Sequence, residues 1–110
     1  MYSKNMNTES IGCVKAAAAI LGDKWTPQIL RYFVNEQTVR FCQVQDNVLG
    51  INPRTLSARL DSLEKQGIIV KQATTSENRC EYSLTEKGQA LIPILHDMHV
   101  WSETFAPQHA

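Results

Sequence analysis

The chain has 110 residues, 43% of them hydrophobic, with Lys plus Arg and Asp plus Glu balanced at 11 each. That length supports one domain with a real core and hardly two, and the composition is that of a soluble globular protein rather than a disordered or membrane-spanning one. A formal net charge of +0 excludes a protein that gathers polyanions by bulk charge, so a nucleic-acid partner would have to be met by a local patch. Cys13, Cys42 and Cys80 are far apart, odd in number and in no CxxC pair, which argues against a disulfide framework or a zinc site and for a reducing cytoplasm.

Residues 1–10 are polar, without an apolar signal core, and read as a flexible arm ahead of a domain over residues 11–106. Residues 11–21 are rich in alanine and end at Gly22, which predicts a first helix with little bulk, suited to close packing against another helix. Thr26-Pro27 has the cap-plus-proline form of a helix start, and Ile29, Leu30, Phe33 and Val34 supply a buried stripe, with Trp25 plugging the core just before it. Beyond a polar turn a third helix is expected from about Phe41, with Phe41, Val44 and Val48 on one face and polar residues on the other.

Residues 52–67 carry the clearest local signal. Asn52 is a good N-cap, Pro53 suits the first helical position because its missing N–H would be unpaired there, and Gly67 can take the left-handed conformation that ends a helix. Leu56, Leu60 and Leu63 share one face, Arg54, Ala58, Asp61 and Lys65 lie opposite, and Thr55, Ser57 and Arg59 fall between. The first two turns therefore offer short groups that let a backbone approach and guanidinium forks that match guanine edges and phosphates. With only Gly50 and Ile51 between this helix and the third one, the arrangement is that of a helix-turn-helix seated in a DNA major groove. The alternative for the segment taken alone is an ordinary amphipathic surface helix.

After Gly67, residues 68–70 are β-branched and residues 80–84 alternate polar with apolar, so two strands are expected. The polar stretch between them is too long for a two-residue turn and reads as a projecting wing, with Ser76, Glu77 and Asn78 at its tip and Lys71 and Arg79 on its flanks. Thr85 should cap a last helix that Pro93 kinks about two turns in. That helix carries Leu91, Ile92, Ile94, Leu95, Met98, Trp101 and Phe105, more large apolar groups than one face can bury internally, which implies a partner. The fold expected is mainly α with a small β-hairpin, a winged helix-turn-helix.

The residues Leu21-Gly22-Asp23-Lys24-Trp25-Thr26, then Ile29-Leu30, Arg40-Phe41, Ile51-Asn52-Pro53-Arg54-Thr55-Leu56-Ser57, Arg59-Leu60, Leu63-Glu64, Gly67-Ile68-Ile69 and Glu81-Tyr82-Ser83-Leu84-Thr85-Glu86-Lys87-Gly88 resemble the signature of HxlR-type winged helix-turn-helix transcriptional regulators. The resemblance runs from about Cys13 to Trp101 in order and spacing. It implies a bacterial homodimer that joins through its first and last helices, with Ala17, Leu91, Leu95, Met98, Trp101 and Phe105 at the interface, and sets paired reading helices on a pseudo-palindromic operator in double-stranded DNA. By position, Arg54, Thr55, Ser57, Ala58 and Arg59 would face DNA, and Arg40 and Arg79 would touch its backbone.

Several members of that family sense electrophiles or oxidants through a cysteine near the N-terminus, usually followed by proline. Cys13 is the counterpart, but Val14 replaces the proline and the spacing to Trp25 is one residue shorter than the common pattern. A cysteine in a helix's first turn gains thiolate character from the dipole, with Lys15 nearby to help; the competing reading is a small residue packed at the dimer interface. Cys42 and Cys80 read as packing or incidental residues. His96, Asp97 and His99 lack a third well-spaced ligand, and no phosphate loop or nucleophile–base set is present, so neither a metal, a cofactor nor an enzyme is expected, and no effector is indicated. Two function classes remain: a DNA-reading transcriptional regulator, and a winged-helix module that works only in protein interaction.

Overall fold

Helical spacing through the first half of the chain and β-branched residues after Gly67 fold as their periods require. The computed structural model describes residues 14–34, 36–73 and 80–106. In chain order its elements are α1 (Val14–Leu21), α2 (Thr26–Val34), β1 (Val39–Arg40), α3 (Phe41–Asn47), α4 (Pro53–Lys65), β2 (Ile69–Ala73), β3 (Cys80–Leu84), α5 (Glu86–Gln89) and α6 (Ile92–Phe105). The expectations placed on residues 1–13, on Cys13, and on Ser76, Glu77, Asn78 and Arg79 fall outside the described residues.

The architecture is a mostly helical winged helix-turn-helix with a three-stranded antiparallel sheet in the order β1-β3-β2. The hairpin pairs Ile69 with Leu84 and Lys71 with Tyr82. The sheet has one strand more than the hairpin expected: β1 pairs Val39 with Tyr82 and Arg40 with Glu81, a two-residue strand too short to show alternation in sequence. One core unites the layers. Ile29, Leu30 and Phe33 of α2, Val39, Val44, Leu56, Leu60, Leu63, Ile68 and Ile69 are all buried, and Trp25 packs partly buried against them.

Two local details differ from the sequence expectation. Thr26 does not cap α2; the cap is Asp23, whose Oδ1 accepts the N–H groups of Trp25 (2.7 Å) and Thr26 (2.8 Å) and whose Oδ2 accepts the Thr26 hydroxyl (2.7 Å). Thr26 is thereby buried with its hydroxyl satisfied. Pro93 does not kink a continuous last helix either. Thr85 caps the short α5, accepting from the Gly88 N–H; the chain then breaks, and Pro93 sits in the first turn of a new helix whose N-cap is Leu91. A proline early in a helix removes an N–H that would have no partner, whereas in mid-helix it removes a bond and adds a clash, so the break falls where it costs least.

Candidate nucleic-acid interface

The reading helix is held at both ends. At its start Asn52 Oδ1 accepts the Thr55 N–H at 2.8 Å, with Pro53 following the cap. At its end Gly67 adopts φ +76°, so that the Ile68 N–H reaches Leu63 O (2.9 Å) and the Gly67 N–H reaches Glu64 O (3.0 Å), with Leu63 and Ile68 both buried. This is a Schellman ending, complete with its apolar contact. The turn before the helix uses Gly50 at φ +86°; Ile51 is buried beneath it and its carbonyl accepts Gln45 Nε2 at 2.9 Å. Leu56, Leu60 and Leu63 then seat α4 on the core, which fixes the face it presents outward.

A second set of residues clamps the C-terminal end of α4, a task that the sequence did not assign to them. The Thr85 N–H donates to Ile68 O at 3.0 Å, the Thr85 hydroxyl donates to the carbonyls of Gly67 and Ile68, and Lys87 Nζ donates to Gln66 O at 2.7 Å. These bonds satisfy carbonyls at the end of the helix with groups that arrive directly after β3. Gly88 is buried beside them, and a Cβ there would lie 2.2 Å from Ile68 O and 3.0 Å from Leu84 Cδ2. The only sequence signal for this clamp is the run from Thr85 to Gly88, which local capping rules read merely as a helix start.

Outward, Arg54, Ser57 and Ala58 are exposed and Thr55 is half-buried, its backbone engaged in the cap. Lys71 is exposed on β2. Two of the expected DNA contacts are instead engaged with carboxylates of their own chain. Arg40, whose N–H donates to Gln43 Oε1, places Nε 3.6 Å from Glu81 Oε2 across the β1–β3 pair. Arg59, 37% exposed at its side chain, leans back so that Nε lies 3.4 Å from Asp23 Oδ1. Cys42 is exposed on α3, so it is not a packing residue.

Burial raises the pKa of Asp23, but hydrogen bonds from the Thr26 hydroxyl and the Thr26 and Trp25 N–H groups, together with the Arg59 charge, outweigh it and hold the carboxyl below its ordinary value. The folded protein thus binds this proton less readily than the unfolded chain does. The stability so contributed is complete above the ordinary Asp value of about 3.9 and is lost as pH falls through the depressed one. Thermal melts between neutral pH and about pH 2 should therefore show Asp23→Asn losing less stability than wild type below about pH 4. Parallel acid limbs would show that Asp23 titrates as in the unfolded chain.

The helices expected to meet a second copy are under-used in the single chain. Neither α1 nor α6 has a fully buried residue. On α6, Met98 is 41% exposed, Trp101 60% and Phe105 69%, and the rings of Trp101 and Phe105 are tilted at a centroid distance of 5.6 Å. Leu91 differs from the interface expected for it: at 8% exposed it belongs to the core of its own chain, with Leu95 half-buried against that core. Ala17 is half-buried and Val14 exposed on α1. Between α2 and α6 runs an open groove of about 680 Å³, with Val34, Ile92, Leu95 and Met98 among its lining residues. His96 and His99 are exposed, and among the described residues no three metal-binding side chains converge. No helix among the described residues is long and apolar enough to cross a membrane.

Residues 20–110 match the family described as HxlR-like helix-turn-helix. The uncharacterized HTH-type transcriptional regulator YvaP of Bacillus subtilis is 34% identical over 87 residues, covering 78% of this chain and 80% of that protein. Among solved structures, the redox regulator HypR in its oxidized form superposes with a TM-score of 0.77 at 29% identity, covering 83% of this chain and 94% of that one. The reduced form of the transcriptional regulator YodB from B. subtilis gives a TM-score of 0.73 at 26% identity, covering 96% of each.

Proposed function

The chain belongs to the HxlR-like helix-turn-helix family of transcriptional regulators, and from that premise we propose that it works in the cytoplasm as a homodimer, setting one α4 per protomer into successive major grooves of a pseudo-palindromic operator. The observation that carries this is the outer face of α4. A rigid helix, capped at both ends and clamped by Thr85 and Lys87, presents Arg54, Ser57 and Ala58 to solvent. Short side chains permit close approach and Arg54 would supply a fork for a guanine edge, while Lys71, exposed on β2, would meet phosphate. The family relationship favours this reading over a winged-helix module confined to protein interaction.

The dimer rests on the apolar residues that α1 and α6 leave exposed. A second copy covering Met98, Trp101 and Phe105 and the adjoining groove would bury the aromatic surface that a soluble monomer does not normally display. In a symmetric dimer of this kind the reading helices fall about 34 Å apart, one turn of B-DNA.

A response to thiol oxidation through Cys13 is part of the proposal. HypR is described as a redox regulator and YodB in reduced and diamide-treated forms, and only a thiolate performs that chemistry. Gel shifts with genomic fragments flanking the coding region, run against competitor DNA, test both parts at once. Wild type should shift a fragment specifically and release it on diamide treatment, while Cys13→Ser should bind but not release. Absence of any specific shift refutes the regulator; equal release by the two proteins returns Cys13 to a packing role.

A further inference from the structure

The placement of Arg59 is the feature that DNA reading leaves unexplained. It lies on α4, flanking the buried leucine face, yet its guanidinium is turned toward Asp23 at the start of α2 instead of outward with Arg54. We propose that Asp23 is a specificity-determining positioning residue: by holding Arg59 back, it keeps one cation of the reading helix from joining the phosphates of non-cognate DNA. This rests on the DNA-reading function proposed above.

The two partners are held very differently. Asp23 accepts three hydrogen bonds from Trp25 and Thr26, at 2.7, 2.8 and 2.7 Å, all of them independent of Arg59, so it remains fixed and charged whether or not Arg59 is present. Arg59 is held only loosely. Its Nε is 3.4 Å from Asp23 Oδ1 and, although buried, makes no hydrogen bond. The contact is a charge attraction without the hydrogen bond that makes an arginine–carboxylate pair strong, and with the Arg59 side chain 37% exposed solvent weakens it further. When the pair opens, Arg59 is the member that moves.

Asp23 and a DNA phosphate thus compete for one guanidinium. Random DNA, bound mainly through its phosphates, must displace Asp23 to recruit Arg59, whereas bases read by Arg54, Ser57 and Ala58 are unaffected by that competition. Arg40 is screened in the same manner by Glu81, 3.6 Å away. A chain of formal net charge +0 that also screens individual cations next to its reading surface limits the sequence-independent part of its affinity, which raises the ratio of specific to non-specific binding.

Asp23→Asn isolates the charge, because the amide oxygen still accepts the Trp25 and Thr26 N–H groups. Binding to a random duplex and to an operator fragment should be measured from about 50 to 200 mM salt, with a melting curve at neutral pH confirming that the variant folds. Asp23→Asn should bind random DNA more tightly at low salt, with the slope of log affinity against log salt steeper by about 0.9, an extra factor of roughly three over that salt range, and a lower operator-to-random ratio. Adding Arg59→Gln to that variant should remove the gain. An unchanged slope in folded Asp23→Asn overturns the inference. So does Arg59→Gln alone if it flattens the wild-type slope on random DNA as much as Lys71→Gln does, a result that does not depend on Asp23→Asn folding. Wild type that binds no DNA would instead refute the regulator itself, and that outcome is distinct from both.

Discussion

Replacing Trp101 and Phe105 together by glutamate is expected to yield a folded monomer whose affinity for a two-half-site operator is lower by about 10²- to 10⁴-fold, the factor normally gained when a second binding event becomes intramolecular. Both rings are more than half exposed and lie on a helix with no fully buried residue, so the chain's own core does not depend on them. Across an interface they would be the dominant anchors. Buried aromatics at the centre of an interface commonly cost 2 kcal/mol or more when truncated, roughly, and a buried unpaired carboxylate adds a desolvation penalty. Light scattering should report half the wild-type mass, and gel shifts the lost affinity. A double variant that remains dimeric would place the interface elsewhere than α6.

Gly88→Ala is expected to be the most damaging small change in the chain. The added Cβ would meet Ile68 O at 2.2 Å, and that carbonyl already accepts the Thr85 N–H at 3.0 Å. Neither atom is the end of a flexible side chain, so the backbone between α4 and β2 has to shift. Overpacking of this kind costs about 1–3 kcal/mol, a fall in melting temperature on the order of 5–20 °C for a domain of this size. Because the displaced segment is the end of the reading helix, operator affinity should drop even at temperatures where the variant is folded. A variant that melts with wild type and binds equally would show that the clamp tolerates movement.

The parts of this molecule visible in the sequence are those fixed within a turn or two of the residues responsible. Asn52, Pro53 and Gly67 act on their immediate neighbours, so both ends of α4 follow from local rules, and the spacing of Leu56, Leu60 and Leu63 fixes its buried face. The β-branched run after Gly67 and the alternation from Cys80 gave the hairpin for the same reason. What the sequence concealed depends on partners distant along the chain. Strand β1 exists only because β3 lies beside Val39 and Arg40. One miss is local instead: Thr26-Pro27 has the form of a cap, and only the position of the Asp23 carboxylate, a turn earlier, shows that the task belongs to Asp23. Arg59 is written as a DNA contact by its place on α4, but it lies against Asp23, in the bend ahead of α2. Leu91 carries no mark that separates it from Met98 or Trp101; the break after α5 is what turns it into the core.

Whether α4 reads bases is decided by comparing Arg54→Ala with Lys71→Ala on operator and random duplexes at three or more salt concentrations. Arg54 projects from the outer face of α4, whereas Lys71 lies on β2, so the two should fail differently. Arg54→Ala should cost on the order of 1–3 kcal/mol on the operator and relax discrimination at one base pair, while Lys71→Ala should weaken both DNAs alike and flatten the salt dependence by about one unit. If Arg54→Ala weakens operator and random DNA equally, with the salt slope falling as it does for Lys71→Ala, then Arg54 touches only phosphate and the account of α4 as the base-reading element is contradicted.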